Sequence, residues 1–332
     1  MHISTIPAPT SPIPVVRVRN LRVGLRREGG AVELVSGVSF DLAAGEILAL
    51  VGESGCGKSV SCLALGRLLP EPPFTATADE LMVAGRDVNR LGAKELRALR
   101  GGVLAYIFQD PGAALNPVLR VGTQLAEALR LHHPGLKDVT ARCVELLREV
   151  GIPEPELRLR AYPHELSGGM QQRVMTAMAV SSRPAVLVAD EPTTALDVTV
   201  QAQILELLGR LRRERNMAVL LVTHNLGIVA GMADRVCVMY AGEIVETAPT
   251  AELLRAPRHP YTRALLDAVP RLGAGRGELT SIPGRVPAPG EYPAGCRFAE
   301  RCPRVQPACR AAPPPWIEPA PNRGVRCRLP LG

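Results

Sequence analysis

The sequence predicts an α/β protein with a mostly parallel sheet. The first observation is a set of short apolar runs, ILALV at 47–51, AVLVAD at 185–190 and AVLLVTH at 218–224, which is typical of strands buried on both faces. The second is that segments with helical spacing separate these runs, as in parallel sheets with crossover helices. With 332 residues, the chain fits one large α/β domain with an appendage, or two domains.

The remaining elements follow in chain order. Residues 15–50 alternate in polarity and read as β structure that ends in the buried run. Residues 103–108, VLAYIF, predict another strand, and 110–180 carry amphipathic helical patterns that predict a helical insertion into the sheet. Residues 236–246 predict a hairpin. From about residue 251, proline and glycine become frequent and the pattern does not define regular elements.

Composition and charge exclude several classes of protein. Hydrophobic residues make up 46% and charged residues 21% of the chain, which indicates a globular protein. No apolar stretch reaches the length of a membrane span, and the first residues lack the pattern of a signal peptide. We therefore expect a cytoplasmic chain, unless a partner holds it at a membrane. The net charge is +7, and most of it lies from Arg271 onward. This basic tail could contact nucleic acid or anionic lipid, or form a solvated surface.

A glycine-rich loop predicts a nucleotide site. The segment at 52–59 fits G-x-x-x-x-G-K-[ST] between a strand and a helix, where backbone amides and the helix start favour phosphate. Lys58 would neutralise charge on the β- and γ-phosphates, and the Ser59 hydroxyl would ligate Mg²⁺. The predicted ATP-binding residues of this loop are Gly52, Glu53, Ser54, Gly55, Cys56, Gly57, Lys58 and Ser59.

Two further motifs carry chemistry. Asp190 and Glu191 end an apolar strand, where Asp190 can hold the Mg²⁺ shell and Glu191 can polarise the attacking water as general base. In LSGGMQQR, Ser167 can cap a helix whose start, Gly168 and Gly169, leaves amides bare. This is either an ordinary helix cap or a second anion site. Two such sites in one chain suggest two copies that share nucleotides.

These motifs resemble those of the ATP-binding cassette (ABC) ATPases. LSGGMQQR matches their signature, Gln109 in YIFQDP their Q-loop, Ala195-Leu196-Asp197 their D-loop and His224 their switch histidine. The resemblance covers residues 15 to about 250. It implies a P-loop NTPase cassette with a RecA-like, mostly parallel sheet core, a β-subdomain and a helical insertion.

The resemblance also implies roles for individual residues. Catalysis is assigned to Glu191, His224 and Gln109. Mg²⁺ is assigned to Ser59, Gln109 and Asp190. The two subunits of a cassette pair lie head to tail, so four residues would act on the nucleotide of the partner: Ser167, Gly168, Gly169 and Asp197.

A subfamily is indicated by FQDP with LNPV at 108–118, MYAGEIVE at 239–246 and HPYT at 259–262. These segments resemble the ATP-binding subunits of oligopeptide and dipeptide importers, with nickel importers as close relatives and an alternative. The resemblance implies a second ABC ATPase subunit, in a heterodimer more than a homodimer, two membrane permease subunits and an extracytoplasmic solute-binding protein. The chain would lie peripherally at the cytoplasmic face of the cell membrane, held by the permeases.

A non-transport ABC ATPase that acts on nucleic acid is the other alternative. Chromosome-type members carry a long coiled coil between loop and signature, whereas these motifs are only about 107 residues apart here, without sustained heptads. Translation-type members carry two cassettes, and this chain has one. We therefore expect a transporter subunit and no nucleic-acid partner.

The implied organisation is an N-terminal tail at 1–14, an ATPase domain at 15–250 with a helical subdomain at about 110–181, and a C-terminal extension at 251–332 that carries cysteines.

One departure from the family concerns adenine, which the family stacks on an aromatic residue in the first hairpin. The corresponding position falls near Leu25, and no Tyr, Phe or Trp occurs between Ile13 and Ser39.

Four cysteines crowd the extension with the spacing C-x₅-C-x₆-C-x₁₇-C: Cys296, Cys302, Cys309 and Cys327. Disulfides are disfavoured in the cytosol, and structural zinc sites favour C-x₂₋₄-C pairs, which are lacking. A [4Fe–4S] cluster needs four thiolates and tolerates varied spacing. The resemblance points the same way, so we predict a structural [4Fe–4S] cluster, with zinc as the alternative and free thiols as the third reading.

Overall fold

The structure, a computed structural model, describes residues 14–194, 196–269 and 281–332. Most of the predicted N-terminal tail, and Ala195 of the predicted D-loop, lie outside these residues. The strands are β1 (Val16–Arg27), β2 (Gly30–Leu42), β3 (Ile47–Val51), β4 (Phe74–Thr77), β5 (Glu80–Val83), β6 (Arg86–Asp87), β7 (Leu104–Ile107), β8 (Val186–Asp190), β9 (Ala218–Thr223), β10 (Arg235–Tyr240), β11 (Glu243–Pro249), β12 (Trp316–Ala320) and β13 (Arg323–Arg326).

The helices are α1 (Lys58–Leu65), α2 (Ala93–Leu99), α3 (Pro111–Ala114), α4 (Val121–His132), α5 (Val139–Glu149), α6 (Pro155–Arg158), α7 (Gly168–Val180), α8 (Val198–Arg215), α9 (Leu226–Met232), α10 (Thr250–Arg255), α11 (Pro260–Asp267) and α12 (Pro307–Ala311). Short 3₁₀ turns cover Val88–Arg90, Pro163–Glu165 and Ala299–Arg301. Within the described ranges, no helix is both long enough and apolar enough to span a bilayer.

The larger sheet has the order β12-β13-β11-β10-β3-β9-β8-β7. Strands β10, β3, β9, β8 and β7 pair in parallel, and β3, β9 and nearly all of β8 are buried, as their continuous apolar sequences predict. The predicted mostly parallel core is therefore confirmed. Since parallel strands share one carboxyl edge, the loops after β3, β7, β8 and β9 gather there.

The smaller sheet is antiparallel, with the order β2-β1-β5-β6 and β4 beside β1. The inward side chains of its long hairpin, such as Val18 and Val35, share one core with Leu50 of β3 and Leu65 of α1. This packing brings β2 against the loop after β3, because a Cβ on Gly57 would lie 3.2 Å from the carbonyl oxygen of Leu34.

Helices α3 to α7 fill the stretch in which the sequence predicts a helical insertion. Their apolar faces, including Val121 and Leu125 of α4, Leu146 of α5 and Val174 of α7, form a second core with strands at the β7 edge of the large sheet. Helix α7 thereby packs this layer against the β7 side of the large sheet.

The extension contains regular elements that the sequence pattern did not define. Strand β13 pairs with β11 in the register Glu246↔Val325, so the extension continues the large sheet. Tyr240, Tyr261 and Phe298 pack in a third core, edge-on or tilted, with ring centroids 4.6 to 5.3 Å apart. These contacts are long-range in sequence, and short proline-bounded elements leave little local signal for them. The domain boundary at residue 250 stays a prediction.

Candidate nucleotide site

A cleft of about 670 Å³ opens at the carboxyl edge of the large sheet, a size that suits a small-molecule ligand. It brings together most of the predicted residues of one site: Gly52, Glu53, Ser54, Gly55, Gly57, Lys58, Ser59, Gln109, Glu191 and His224. The remaining lining residues are Leu34, Val60, Thr194, Leu265 and Pro289. The sequence motifs for loop, Q-loop, strand-end acid and switch histidine thus converge.

The loop after β3 turns tightly against its surroundings. Gly57 has φ +103° and precedes α1, and a Cβ on Gly52 would lie 2.2 Å from the carbonyl oxygen of Met239. Inside the turn, the ammonium of Lys58 donates to the carbonyl oxygens of Gly52 at 2.8 Å and Glu53 at 2.9 Å. Cys56 is buried, with its sulfur 3.8 Å from the same ammonium. The loop therefore lines the cleft with backbone and with one cation, Lys58.

Glu191 stands where three strand ends meet. Its carboxylate oxygen Oε1 lies 3.1 Å from Nδ1 of His224, which follows β9. Its Oε2 accepts hydrogen bonds from the Thr194 hydroxyl at 2.8 Å and from the Gln109 amide, after β7, at 3.3 Å. Glu191 also has φ +46°, an uncommon conformation for a glutamate, which its own amide fixes by donating to Val222 at 2.9 Å.

The pKa values of the two neighbouring acids, Asp190 and Glu191, are shifted in opposite directions. Burial pushes the pKa of Glu191 upward, but hydrogen bonds from His224 and Thr194 outweigh it, so the pKa lies below its ordinary value. Burial raises the pKa of Asp190, with a partial offset from the Ser59 hydroxyl. Asp190 Oδ1 is buried without a hydrogen-bond partner among the described residues. An unsatisfied carboxylate oxygen near a serine hydroxyl fits a hard cation such as Mg²⁺.

The predicted in-trans residues lie elsewhere. Ser167 caps α7 by accepting from the Met170 amide at 3.3 Å, and Asp197 caps α8 by accepting from the Val200 amide at 2.9 Å. The two helix starts touch each other, because a Cβ on Gly169 would lie 2.7 Å from a Val200 methyl. None of the four in-trans residues lines the cleft of its own chain.

The apolar part of the cleft differs from the sequence expectation. Leu25 pairs with Val32 across the hairpin and is absent from the lining, whereas Leu34 of β2 lines it. Leu265 of α11 and Pro289 of the extension also line it. Nothing in the spacing of the extension indicated these two, because they reach the cleft only through tertiary packing.

The sequence does not indicate three further polar contacts of the site, made by Thr194, Arg301 and Tyr261. Thr194 orients Glu191, as described above, and was hidden in a turn of small residues. Arg301 pairs with the Glu53 carboxylate through two hydrogen bonds of 3.0 and 3.1 Å. The hydroxyl of Tyr261 accepts from the Glu53 amide at 2.9 Å. Tyr261 belongs to the HPYT segment, which the sequence marked only as typical of a subfamily.

The four extension cysteines line one small cavity, together with His259 and Phe298. All four are free thiols, and burial raises the pKa of Cys296 to about 11. In the described part of the chain, no group of three or more His, Cys, Asp or Glu side chains is arranged to hold a metal ion. The structure thus gathers the donors without the geometry of an ion site, and the predicted cluster stays a prediction.

Comparisons with known proteins agree with these features. A family profile described as ABC transporter matches residues 35–194, and one described as oligopeptide/dipeptide transporter, C-terminal region, matches 245–309. The chain is 47% identical over 317 residues to the dipeptide transport ATP-binding protein DppD of Bacillus subtilis (strain 168), covering 95% of this chain and 94% of that protein. It is 46% identical over 318 residues to DppD of Escherichia coli (strain K12), covering 96% and 97%.

Among solved structures, the fold is similar to the dimeric ATP-binding cassette MJ0796 in a post-hydrolysis state with ADP and Pi. The TM-score is 0.64 at 26% identity, and the match covers 71% of this chain and 98% of that chain. The match spans nearly the whole of that cassette. It therefore supports the fold of the sheets and the helical insertion more than that of the extension.

Proposed function

The chain belongs to the family of ABC transporter ATP-binding subunits, and we propose that it hydrolyses ATP to power peptide uptake across a cytoplasmic membrane. The observation that carries this proposal is the convergence of Lys58, Glu191 and His224 on one cleft at the end of β3. The peptide assignment rests on the names of the relatives, which are dipeptide transport ATP-binding proteins.

In this mechanism, the loop amides and the Lys58 ammonium bind the phosphates. Ser59, Gln109 and Asp190 would hold Mg²⁺, which supplies charge neutralisation on the β- and γ-phosphates when bound. Glu191, kept ionised by its hydrogen bonds, accepts the proton of the attacking water. His224 and Thr194 hold the two oxygens of that carboxylate in place.

The proposal includes a head-to-tail pair of ATPase subunits. Ser167 and Gly168 are exposed at the start of α7, and Val198 of α8 is 83% exposed although it is apolar. Bare amides beside an exposed apolar side chain suit contact with the nucleotide and surface of a second cassette. The partner is a related but different subunit, as the subfamily resemblance implies.

The proposal also includes two membrane permease subunits and an extracytoplasmic solute-binding protein. Phe108, next to Gln109, and Val118 are exposed by 42% and 76% at the edge of the helical insertion. Apolar side chains at this position fit docking by cytoplasmic helices of a permease, which would hold the chain at the membrane face. Gln109 would then report the state of the cleft to the docked permease.

The four extension cysteines are proposed to hold a [4Fe–4S] cluster, with zinc as the alternative. Free thiols that line one cavity supply the donor set. Such a cluster binds each thiolate to a different iron atom, so it joins the donors over a wider space than a single ion does. When bound, it would cross-link the segments of the extension that carry these cysteines.

The test is reconstitution. The chain is co-expressed with the ATPase, permease and solute-binding proteins of neighbouring genes, and the complex is placed in liposomes. We expect ATP hydrolysis that rises when the solute-binding protein is loaded with di- or oligopeptides. Stimulation by Ni²⁺ and not by peptides would favour the nickel importer instead, and failure to co-purify with the membrane proteins would contradict a transport role.

A further inference from the structure

We propose that Arg301, in the cysteine-bearing extension, is a positioning residue for the phosphate-binding loop and strengthens nucleotide binding through Glu53. The inference rests on the proposed nucleotide site. It assigns to the extension a part in ATP affinity, in addition to its fold contacts.

The pair has the geometry of a strong, directed ion pair. Guanidinium nitrogens Nη1 and Nη2 of Arg301 donate to Oε1 and Oε2 of Glu53 at 3.0 and 3.1 Å. The Arg301 side chain is only 4% exposed, against 28% for Glu53. Parallel two-point contact fixes orientation as well as distance, which a lysine ammonium does not do.

Arg301 is itself held rigidly by its surroundings. Its Nε donates to the carbonyl oxygen of Pro283 at 2.8 Å, and Nη1 donates to the Tyr240 hydroxyl at 3.3 Å. The guanidinium that binds the loop is therefore also fixed by one contact in the extension and one in β10. A fixed donor of this kind transmits position to the carboxylate that it binds.

Glu53 is held by the extension at both ends of the residue. Its side chain binds Arg301, and its amide donates to the Tyr261 hydroxyl at 2.9 Å. Its carbonyl oxygen in turn accepts from the Lys58 ammonium at 2.9 Å. The extension thus holds Glu53, the loop residue whose carbonyl oxygen accepts one of the hydrogen bonds of Lys58.

Charge gives the pair a second effect. Glu53 lines the cleft in which the phosphates are proposed to bind, so its negative charge would repel them. Arg301 compensates that charge at hydrogen-bond distance. Without Arg301, both the loop geometry and the charge balance next to the phosphates would be lost.

The experiment measures the dissociation constant of a fluorescent ATP analogue for the purified full-length chain. The variants are Arg301→Gln, Arg301→Lys, Glu53→Gln and the Arg301→Gln/Glu53→Gln double variant. The control is Arg285→Gln, which removes the same charge from an exposed position of the same extension. Lys58→Ala serves as the reference for loss of the site itself, and thermal unfolding reports whether each variant folds.

We expect Arg301→Gln to bind the analogue about 3- to 30-fold more weakly and Arg301→Lys to fall between it and the parent chain. The penalty of Arg301→Gln should shrink in the Glu53→Gln background and at high salt, because the unpaired carboxylate is then absent or screened. A purely structural role would give the same penalty in both backgrounds. If Arg301→Gln does not fold, the same comparison is made with Arg301→Lys.

Two outcomes overturn the inference: parent-like affinity of a folded Arg301→Gln chain, or a penalty that is unchanged by Glu53→Gln. Parent-like affinity of Lys58→Ala would instead contradict the nucleotide site itself, so the two failures are distinguishable.

Discussion

His224 and Thr194 hold opposite oxygens of one carboxylate: Nδ1 of His224 lies 3.1 Å from Oε1 of Glu191, and the Thr194 hydroxyl lies 2.8 Å from Oε2. Both oxygens are therefore oriented before any water is activated. Because these hydrogen bonds favour the ionised form, Glu191 is available as a base at neutral pH.

Glu191→Gln should retain nucleotide binding and lose turnover, because the amide keeps the shape of the side chain but cannot accept the proton. The expected loss in kcat is about 10²- to 10⁴-fold. Phosphate release is measured in the assembled complex, with Glu206→Gln on the exposed face of α8 as the control. Turnover near that of the control would remove Glu191 from the role of general base.

Lys58→Ala should weaken ATP binding itself, because it removes the buried ammonium from the loop. Lys94→Ala is a matched control, since the chain has only three lysines and Lys94 is exposed. Affinity is measured with the same fluorescent analogue in both variants. Unchanged affinity and hydrolysis in Lys58→Ala would show that the phosphates bind elsewhere.

The raised pKa of the buried Glu246 carboxyl leads us to expect that the stability of the chain depends on pH. It is fully buried and accepts amides of Arg258 and His259 at 2.7 and 2.8 Å, and burial raises its pKa above the ordinary value. A raised folded-state pKa gives stability that is fully present below the unfolded pKa and is lost as pH rises through the folded pKa. Each pKa unit of difference corresponds to about 1.4 kcal/mol.

Glu246→Gln should therefore flatten the fall in the free energy of unfolding above about pH 4.3, measured by chemical denaturation at a series of pH values. Glu318→Gln, an exposed glutamate in β12, should keep the parent profile. Identical profiles for Glu246→Gln and the parent chain would mean that this carboxyl titrates alike in the folded and unfolded states.

The cluster proposed for the cavity lined by the four extension cysteines can be tested by metal analysis. Anaerobically purified chain should contain about four iron and four sulfide per molecule if the proposed [4Fe–4S] cluster binds. Cys309→Ser should lose it, whereas Cys143→Ser, buried in the helical layer, should keep it. One zinc without iron would establish the alternative, and four titratable thiols without metal would contradict both.

The sequence predicts the core of the site well, because its chemistry lies in contiguous motifs at the ends of apolar strands. Lys58, Glu191 and His224 converge as the parallel topology requires. The extension is different. Arg301 and Tyr261 reach Glu53 from more than 200 positions away in sequence, and no local periodicity encodes such contacts.

The apolar side of the cleft makes the same point. The sequence places Leu25 of the hairpin near the adenine position, whereas Leu34 of the same hairpin lines the cleft. The β1–β2 hairpin carries several irregularities of register, and its position relative to the loop after β3 depends on contacts between the two sheets. Pattern alone does not fix which hairpin residue lines the cleft.

Strand β13 pairs with Glu246 and Thr247 of β11, although it lies far beyond them in the chain. During translation, β11 therefore leaves the ribosome long before its neighbour exists, and its backbone groups stay open to other strands in the meantime. A nascent chain that stalls in the extension would display this bare edge. The late-made strand β13 therefore covers a strand edge that, while bare, is the kind of site at which edge-to-edge pairing begins.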